Sequence, residues 1–262
     1  MLSRLGTQLL FYLRAIGWMP HTVVRYRKEV ARLLGEVSFG VGGLTVVGGT
    51  VGVVVFLTFF TGTEVGLQGY QALNQVGTSA FTGFISAYFN TREIAPLVAG
   101  IALSATVGAG FTAQLGAMRV NEEVDALEVM GVRSLPYLVT TRMIAGLLAC
   151  VPLYVLSLLA GYVATRGVAT LYFGQSAGTY DHYFSQFLVS TDVWWSFGKV
   201  VAFSILVIGV HCYYGYYASG GPAGVGVAVG RAVRTAIVAV NVVDFFVSLA
   251  VWGATTTVRI VG

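Results

Sequence analysis

The sequence predicts an all-α integral membrane protein, with an interfacial N-terminal helix followed by five membrane-spanning helices. Hydrophobic residues make up 56% of the 262 residues, only 10% are charged, and the mean hydropathy is +0.79. A soluble domain carries roughly 25% charged residues. Five apolar windows are each at least as long as the roughly 20 residues that cross a hydrocarbon core about 30 Å thick. These observations place most of the chain in lipid.

The five predicted spans are long apolar windows, the first two without a charged residue and the other three with one each. They cover residues 40–62, 94–117, 136–164, 196–217 and 235–257. Their length and continuity favour helices over the weak alternation of barrel strands. Before them, residues 1–38 mix arginines with aliphatic and aromatic side chains, which is typical of a helix lying in the membrane interface. We therefore divide the chain into a basic arm at 1–38 and a five-span domain at 39–262.

Positive charge is concentrated in three segments that alternate with the spans. These are the N-terminal arm, the second connection with Arg119, Arg133 and Arg142, and the fourth connection with Arg231 and Arg234. By the positive-inside rule these segments are cytoplasmic, so we expect the N-terminus inside and the C-terminus outside. The net charge of +4 is then a sign of topology, and we expect no nucleic-acid partner.

The second connection, at residues 119–131, has an acidic face and an apolar face. The acidic residues are Glu122, Glu123, Asp125 and Glu128. Apolar residues follow at helical spacing: Val124, Leu127, Val129 and Met130. Carboxylates are too costly for hydrocarbon, so this pattern predicts a short cytoplasmic helix. Such a helix suits docking on another protein; the alternative is a solvated helix without a partner.

The connections on the other side are rich in aromatic residues. Residues 63–93 are too polar for a lipid-facing span and too aromatic for a plain loop, so we expect outer-side helices lining a cavity. Residues 165–193 form a second outer connection. The aromatic candidates for that lining are Tyr70, Phe81, Phe84 and Tyr88. Arg92 and Glu93 are predicted to open the second span, where they meet a polar headgroup or form a self-satisfied interfacial pair.

Two features inside the spans predict helix packing. Small residues recur at every fourth position of the second span, namely Gly100, Ser104, Gly108, Thr112 and Gly116. Such rows let membrane helices approach closely, either within the chain or between subunits. Asp244 lies in the fifth span, where it either has a function or bonds a neighbouring helix.

Residues for catalysis are missing from the pattern. The only lysines are Lys28 and Lys199, and neither follows a Gly-rich phosphate-binding loop. The three histidines lack ligand spacing, Cys150 and Cys212 fall in apolar spans, and we interpret the segment at 211–217 as an interfacial aromatic belt. We therefore expect a non-enzymatic chain that binds no metal and no cofactor itself.

Several motifs together resemble the MlaE/YrbE permease family. They lie at residues 92–96 (Arg-Glu-Ile-Ala-Pro), 112–118, 122–127, 130–131, 230–234 and 244–246. The chain is most similar to the B-type YrbE subunit of mammalian-cell-entry (Mce) lipid transporters. Two positions depart from the family, which usually has Arg where Thr106 stands and Glu where Gln114 stands. Loss of both charges together suggests half of an asymmetric pair.

The resemblance implies the permease subunit of an ABC-type transporter that moves lipids across the bacterial inner membrane, by import. It implies an N-terminal elbow helix and a coupling helix at about 119–131, which touches a separate dimeric ATPase that carries ATP and Mg. The implied ATPase contacts are Glu122, Glu123, Asp125, Ala126, Leu127, Met130 and Gly131. Further implied partners are an A-type YrbE permease and Mce/MlaD-type substrate-binding proteins outside. A secondary transporter driven by an ion gradient and a structural scaffold of an envelope complex are the alternatives.

Overall fold

The computed structural model describes residues 2–39 and 49–253, and these residues contain helices and no β-strand. The N-terminal arm forms three short helices: α1 at Leu2–Gly17, α2 at Met19–Arg25 and α3 at Arg27–Phe39. Residues 40–48, with which the first predicted span begins, lie outside the described residues. The prediction of an α-helical arm is confirmed for residues 2–38.

In the part of the chain that the structure describes, seven further helices follow the arm. They are α4 at Thr50–Gln75, α5 at Ser79–Val120, α6 at Glu123–Val129, α7 at Leu135–Tyr172, α8 at Ala177–Phe187, α9 at Ser190–Tyr216 and α10 at Gly221–Trp252. Among the described residues, five of these helices (α4, α5, α7, α9 and α10) are long and apolar enough to cross a membrane. The predicted fold class and number of spans are therefore confirmed.

The spanning helices extend well beyond the apolar windows. Residues 63–75 continue α4, residues 79–93 belong to α5, and residues 165–172 belong to α7. Thr63 shows how a polar side chain is accommodated there, because its hydroxyl donates to the backbone carbonyl of Phe59, one turn earlier, at 2.9 Å. The helix that contains the second predicted span therefore begins at Ser79, so Arg92 and Glu93 lie inside α5 and not at its first turn; their place at the outer end of the span stays a prediction.

Wide π-helical turns interrupt α5 at Ser86–Ile94 and at Ser104–Gly108. Such turns are rare in proteins as a whole, but those that occur are often found at functional sites. The first contains Arg92 and Glu93, and the second begins and ends at two members of the small-residue row. The π-turns therefore coincide with the polar positions of this span.

The described residues form two compact units. The first draws on residues 1–50, 101–150 and 203–240, and the second on residues 51–100, 151–202 and 241–262. The first unit contains the N-terminal arm, which is part of its core: Leu33 of α3 is fully buried against Ala145 of α7. The hydroxyl of Thr140 also donates to the carbonyl of Ala15 at 3.1 Å.

In the second unit, polar side chains join α4, α5 and α7. The hydroxyls of Thr58 and Ser157 lie 2.9 Å apart, and the amide of Asn90 donates to the Thr165 hydroxyl at 2.9 Å. All four side chains are buried. Gly62 permits this approach, because a Cβ there would lie 2.8 Å from the carbonyl oxygen of Gly161. Interhelical hydrogen bonds and small residues are the usual means of packing helices in lipid.

Four members of the small-residue row of α5, Ser104, Gly108, Thr112 and Gly116, pack on other helices of the same chain; a contact of the row with a second subunit stays a prediction. In the first unit Ser104 and Thr112 hold the buried His211 of α9, with hydroxyl oxygens 3.0 Å from Nε2 and 2.8 Å from Nδ1. Gly108 leaves room for the imidazole, since a Cβ there would lie 2.4 Å from its Cδ2 atom. Gly116 faces Val225 of α10, and Gly100 is buried in the second unit.

The interpretation of residues 211–217 as an aromatic belt was wrong for His211, which is fully buried. Three tyrosines of the segment surround Phe11 of α1, with ring centroids 5.5 to 5.7 Å away. They are Tyr213, Tyr216 and Tyr217. These rings join α1 to the end of α9.

Candidate functional site

The connection between α5 and α7 is built around α6, and its two ends have defined backbone geometry. Glu122 precedes the helix with a positive φ of 60°, and its carbonyl accepts from the Ala126 N–H at 3.0 Å. At the other end Gly131 has φ +78°. The Gly131 N–H donates to the backbone carbonyl of Glu128 at 3.0 Å. The N–H of the next residue, Val132, donates to the backbone carbonyl of Leu127 at 2.9 Å. This pair of bonds is the Schellman motif, in which glycine is preferred.

The apolar face of α6 is divided between the interior and the surface. Val124 is buried and Leu127 is half-buried, so these residues anchor the helix to its own unit. In contrast, 89% of Val129 and 69% of Met130 are exposed. The apolar face that the spacing predicted is therefore split, with Val124 inside and Met130 outside. A seven-residue helix needs an internal anchor, and of its apolar face only Val129 and Met130, at the C-terminal end, are fully available to a partner.

Polar contacts hold α6 to neighbouring helices of its unit. The Ser134 hydroxyl donates to the Glu128 carboxylate at 2.5 Å and lies 2.7 Å from the Tyr216 hydroxyl at the end of α9. Arg119 of α5 pairs with Asp125 at 2.7 Å, although both side chains are exposed. An exposed pair contributes about 0–1 kcal/mol. The C-terminal end of α6 is therefore tied to α9 through Ser134, whereas Glu122, Glu123 and Ala126 near its N-terminal end are exposed.

A cleft of about 370 Å³ lies beside the end of α6. Its lining comprises Trp18, Glu128, residues 131–136 and Tyr216. The Arg133 guanidinium lies over the Trp18 ring at 4.8 Å from the centroid, a cation–π contact. Exposed Met130 stands directly before this lining in the sequence. The surface around α6 thus combines exposed apolar side chains, carboxylates and a concave pocket.

The second unit contains a cluster of buried charges on α5, α9 and α10. Arg92 donates from Nε and an Nη atom to the same Asp192 oxygen, at 2.9 and 2.7 Å. The other Asp192 oxygen accepts from the Trp252 indole at 2.9 Å. The Arg92 guanidinium also lies 4.1 Å from the centre of the Tyr88 ring. Only 5% of the Arg92 side chain is exposed, so the pairing replaces its lost hydration.

Lys199 lies at the centre of this cluster and is almost completely buried. Its Nζ atom is 2.6 Å from Asp244 and 3.1 Å from Glu93. It also donates to the Ser248 hydroxyl and the Arg92 carbonyl, each at 2.8 Å. The Ser248 hydroxyl donates in turn to Glu93 at 2.8 Å. With every group ionised, the cluster of two cations and three carboxylates carries one excess negative charge.

The structure brings together three residues that the sequence analysis singled out separately: Arg92, Glu93 and Asp244. The analysis missed their partners Asp192 and Lys199. A signal was present, because Lys199 lies inside the fourth apolar window, and a lysine within a span needs a carboxylate or carbonyl partner. The ion pair of Asp244 with Lys199 is the contact with a neighbouring helix that one of the two interpretations expected; a functional role for Asp244 stays a prediction. Among the described residues, no group of three His, Cys, Asp or Glu is placed to hold a metal.

The aromatic residues proposed as cavity lining pack on other aromatic rings of the second unit. Tyr70 stacks on Phe173, with centroids 4.0 Å apart. Phe81 and Phe84 contact α8 through Tyr183 and Phe187, at 4.4 and 4.8 Å. These contacts show how α8 is attached to its unit. Whether the exposed parts of the same rings face a substrate stays a prediction.

Thr106 and Gln114, which depart from the family pattern, have separate partners. The Thr106 hydroxyl donates to the carbonyl of Ala102 in its own helix at 2.7 Å. The side-chain oxygen of Gln114 accepts from Arg142 of α7 at 3.2 Å, and Arg142 also donates to Leu138 at 2.8 Å. The structure therefore links position 114 to the third span.

Comparison with known proteins agrees with this architecture. A family model described as Permease MlaE matches residues 43–250. The chain belongs to the MlaE permease family. The resemblance identified from the motifs is therefore confirmed at the level of the family, which is a family of multi-pass membrane proteins.

Relatives of this MlaE family member carry consistent names. A probable ABC transporter permease protein of Rickettsia bellii is 32% identical over 75% of this chain and 76% of its own length. The intermembrane phospholipid transport system permease protein MlaE of Haemophilus influenzae is 25% identical over 97% and 98%. The chloroplastic protein TRIGALACTOSYLDIACYLGLYCEROL 1 of Arabidopsis thaliana is 27% identical over 76% and 57%.

Proposed function

We propose that this chain is the non-catalytic permease subunit of an ABC-type lipid importer in the bacterial cytoplasmic membrane, and that α6 is its contact with a separate ATPase. The observation that carries the proposal is the exposure of Val129 and Met130 at the end of α6, beside a cleft. The name of the Haemophilus relative supports a phospholipid as cargo. The names of the Rickettsia relatives support the ABC assignment.

The contacts that anchor α6 would let it move as a rigid unit with the neighbouring helices. Val124 is buried, the helix end is closed by the Schellman bonds, and Glu128 is tied through Ser134 to Tyr216. Movement of α6 by a partner would therefore be transmitted to α7 and α9 instead of being absorbed by a flexible loop. Only a contact that differs between nucleotide states of the ATPase would shift the conformation of the spans.

The ATPase contact is tested by acidic substitutions at the exposed apolar positions. We expect Val129→Asp and Met130→Asp to abolish co-purification of the ATPase with the permease, because each places a carboxylate in an apolar contact. Val76→Asp is the matched control, since 71% of Val76 is exposed in the connection between α4 and α5. Normal co-purification of both α6 variants would refute the contact.

Membrane topology is tested separately by cysteine labelling. The native cysteines are both buried, so an introduced cysteine is labelled against a low background. In intact cells we expect a membrane-impermeant maleimide to label Val76→Cys and not Glu123→Cys. Labelling of Glu123→Cys from outside would place α6 where no cytoplasmic ATPase reaches it.

We further propose that the permease pairs with an A-type partner and receives lipid from Mce/MlaD-type proteins on the outer side. The buried cluster around Lys199 and Arg92 would then lie in the outer half of the membrane, where a lipid headgroup competes for its charges. Purification of the native assembly tests the pairing. Two copies of this chain without a second permease would contradict it.

An ion-driven secondary transporter is the second candidate, because intramembrane carboxylates such as Asp244 and Glu93 are typical of ion pathways. In this chain both carboxylates contact Lys199. Lipid transfer by the purified assembly in vesicles decides between the two. Transfer that depends on ATP supports the ABC proposal, whereas transfer driven by a pH or sodium gradient without ATP supports the second candidate.

A further inference from the structure

A second concave site of the first unit lies at the junction of α9 and α10. This cavity has a volume of about 580 Å³. One wall is a single face of α10, formed by Gly224, Ala228 and Arg231. The opposite wall comes from the last turn of α9, including Tyr213 and Tyr217. The small side chains of Gly224 and Ala228 leave room for the cavity, and Arg231 follows them along the same face of α10.

The position of Arg231 along α10 corresponds to the level of lipid headgroups. The helix has 32 residues, so at about 1.5 Å per residue it is roughly 48 Å long, against a hydrocarbon core of about 30 Å. Its apolar run begins only after Arg234. The part that contains Arg231 therefore extends beyond the hydrocarbon. Tyrosines such as Tyr214 and Tyr217 are also typical of this interface.

The chemistry of the lining favours an anion joined to an apolar group. Among the described residues that line the cavity, Arg231 carries the only formal charge. Gln8, Ser219 and the tyrosine hydroxyls supply further hydrogen-bond donors, while Val227 adds an apolar wall that is half exposed. A guanidinium pairs with phosphate oxygens in a planar, bidentate geometry.

We propose that this cavity binds the phosphate headgroup of a phospholipid from the leaflet that adjoins the α9–α10 connection. Arg231 contacts the phosphate, the tyrosine hydroxyls contact its oxygens, and the glycerol end of the acyl chains lies against Val227. The ligand is a resident lipid of the permease, so the site does not depend on the direction of transport or on the ATPase contact. It shares no residue with the Lys199 cluster, which belongs to the other unit.

Native mass spectrometry of the purified assembly tests the proposal, with dioleoyl-phosphatidylglycerol added as the probe. We expect Arg231→Gln to lower the occupancy of bound lipid at least about tenfold, since a charged hydrogen-bond pair is lost. Arg234→Gln is the matched control. It removes the same charge three residues away, from an exposed arginine outside the lining whose Nε donates to the Gly230 carbonyl.

Retention by Arg234→Gln together with loss by Arg231→Gln supports the site. Equal retention by both variants, or equal loss, overturns it, because binding would then be absent or merely follow net charge. Arg231→Lys should restore part of the lipid occupancy. The melting temperatures of both Arg231 variants are compared with that of the wild type to check that the fold is intact. Absence of bound lipid from the wild-type assembly also overturns the proposal.

Inorganic phosphate could also pair with Arg231, so a second experiment distinguishes it from the phosphate of a lipid. Inorganic phosphate at millimolar concentration should leave the lipid occupancy unchanged, because it lacks the apolar contact with Val227. Displacement of the lipid by inorganic phosphate alone would assign the site to a free anion and refute the phospholipid. Tyr217→Phe should lower lipid occupancy less than Arg231→Gln, since it removes one neutral hydroxyl.

Discussion

The ammonium nitrogen of Lys199 lies 2.6 Å from a carboxylate oxygen of Asp244, although the two residues belong to different membrane-spanning helices. Lys199 also contacts Glu93 of a third helix at 3.1 Å. One buried cation therefore joins α5, α9 and α10 within the second unit. Burying charge is costly unless every charge has a partner, so the helices of this unit depend on one another at this point.

Lys199→Met should destabilise the protein by about 3–5 kcal/mol, because it leaves the carboxylate of Asp244 buried without its cation. The measurement is the melting temperature of the purified protein in lipid nanodiscs. The double variant Lys199→Met with Asp244→Asn should recover much of the loss, since it removes both charges. Equal melting temperatures for the wild type and the single variant would show that the pair contributes nothing.

Gly108→Ala should disrupt the packing of α5 on α9, because the new methyl group would meet the His211 ring, which two hydroxyls hold in place. Overpacking of this kind costs about 1–3 kcal/mol. Gly110→Ala is the control in the same helix, where a Cβ meets nothing within 4 Å. Thermal unfolding should separate the two variants, and equal stability would contradict the close contact.

Gly131→Ala should loosen the C-terminal end of α6. Its φ of +78° costs an alanine about 1–2 kcal/mol, and relief of this strain would break the Schellman bonds. The effect is measured by hydrogen exchange at the backbone amides of positions 131 and 132, which should become faster in the alanine variant. Gly131→Asn should be affected less, because asparagine tolerates this conformation. Unchanged exchange in the alanine variant would exclude a requirement for glycine.

Gln114→Glu should be tolerated or slightly stabilising, because the side-chain oxygen that accepts from Arg142 would become charged. Gln114→Leu should cost about 1–3 kcal/mol, since it removes an acceptor from a buried guanidinium. Melting temperatures of the two variants provide the comparison. A leucine variant as stable as the glutamate variant would mean that Arg142 is satisfied without position 114.

Helix ends and helix faces were less predictable than helix number. A hydropathy window shows which residues can lie in hydrocarbon. A helix, however, continues for as long as its backbone hydrogen bonds are formed. For this reason α5 begins at Ser79 and not near residue 94. The periodicity at 119–131 predicted α6, yet it did not distinguish Val124, which anchors the helix, from Met130, which is exposed.

The sequence by itself determined the membrane class, the five spans, the short polar helix between the second and third of them, and the family. These properties depend on the composition of contiguous segments and on short motifs, which are local. Only the tertiary structure decided that Lys199 meets Asp244 and Glu93, that Asp192 meets Arg92, and that His211 lies against Gly108. Such contacts depend on the rotation and register of helices against one another, which are set by the packing of the whole bundle.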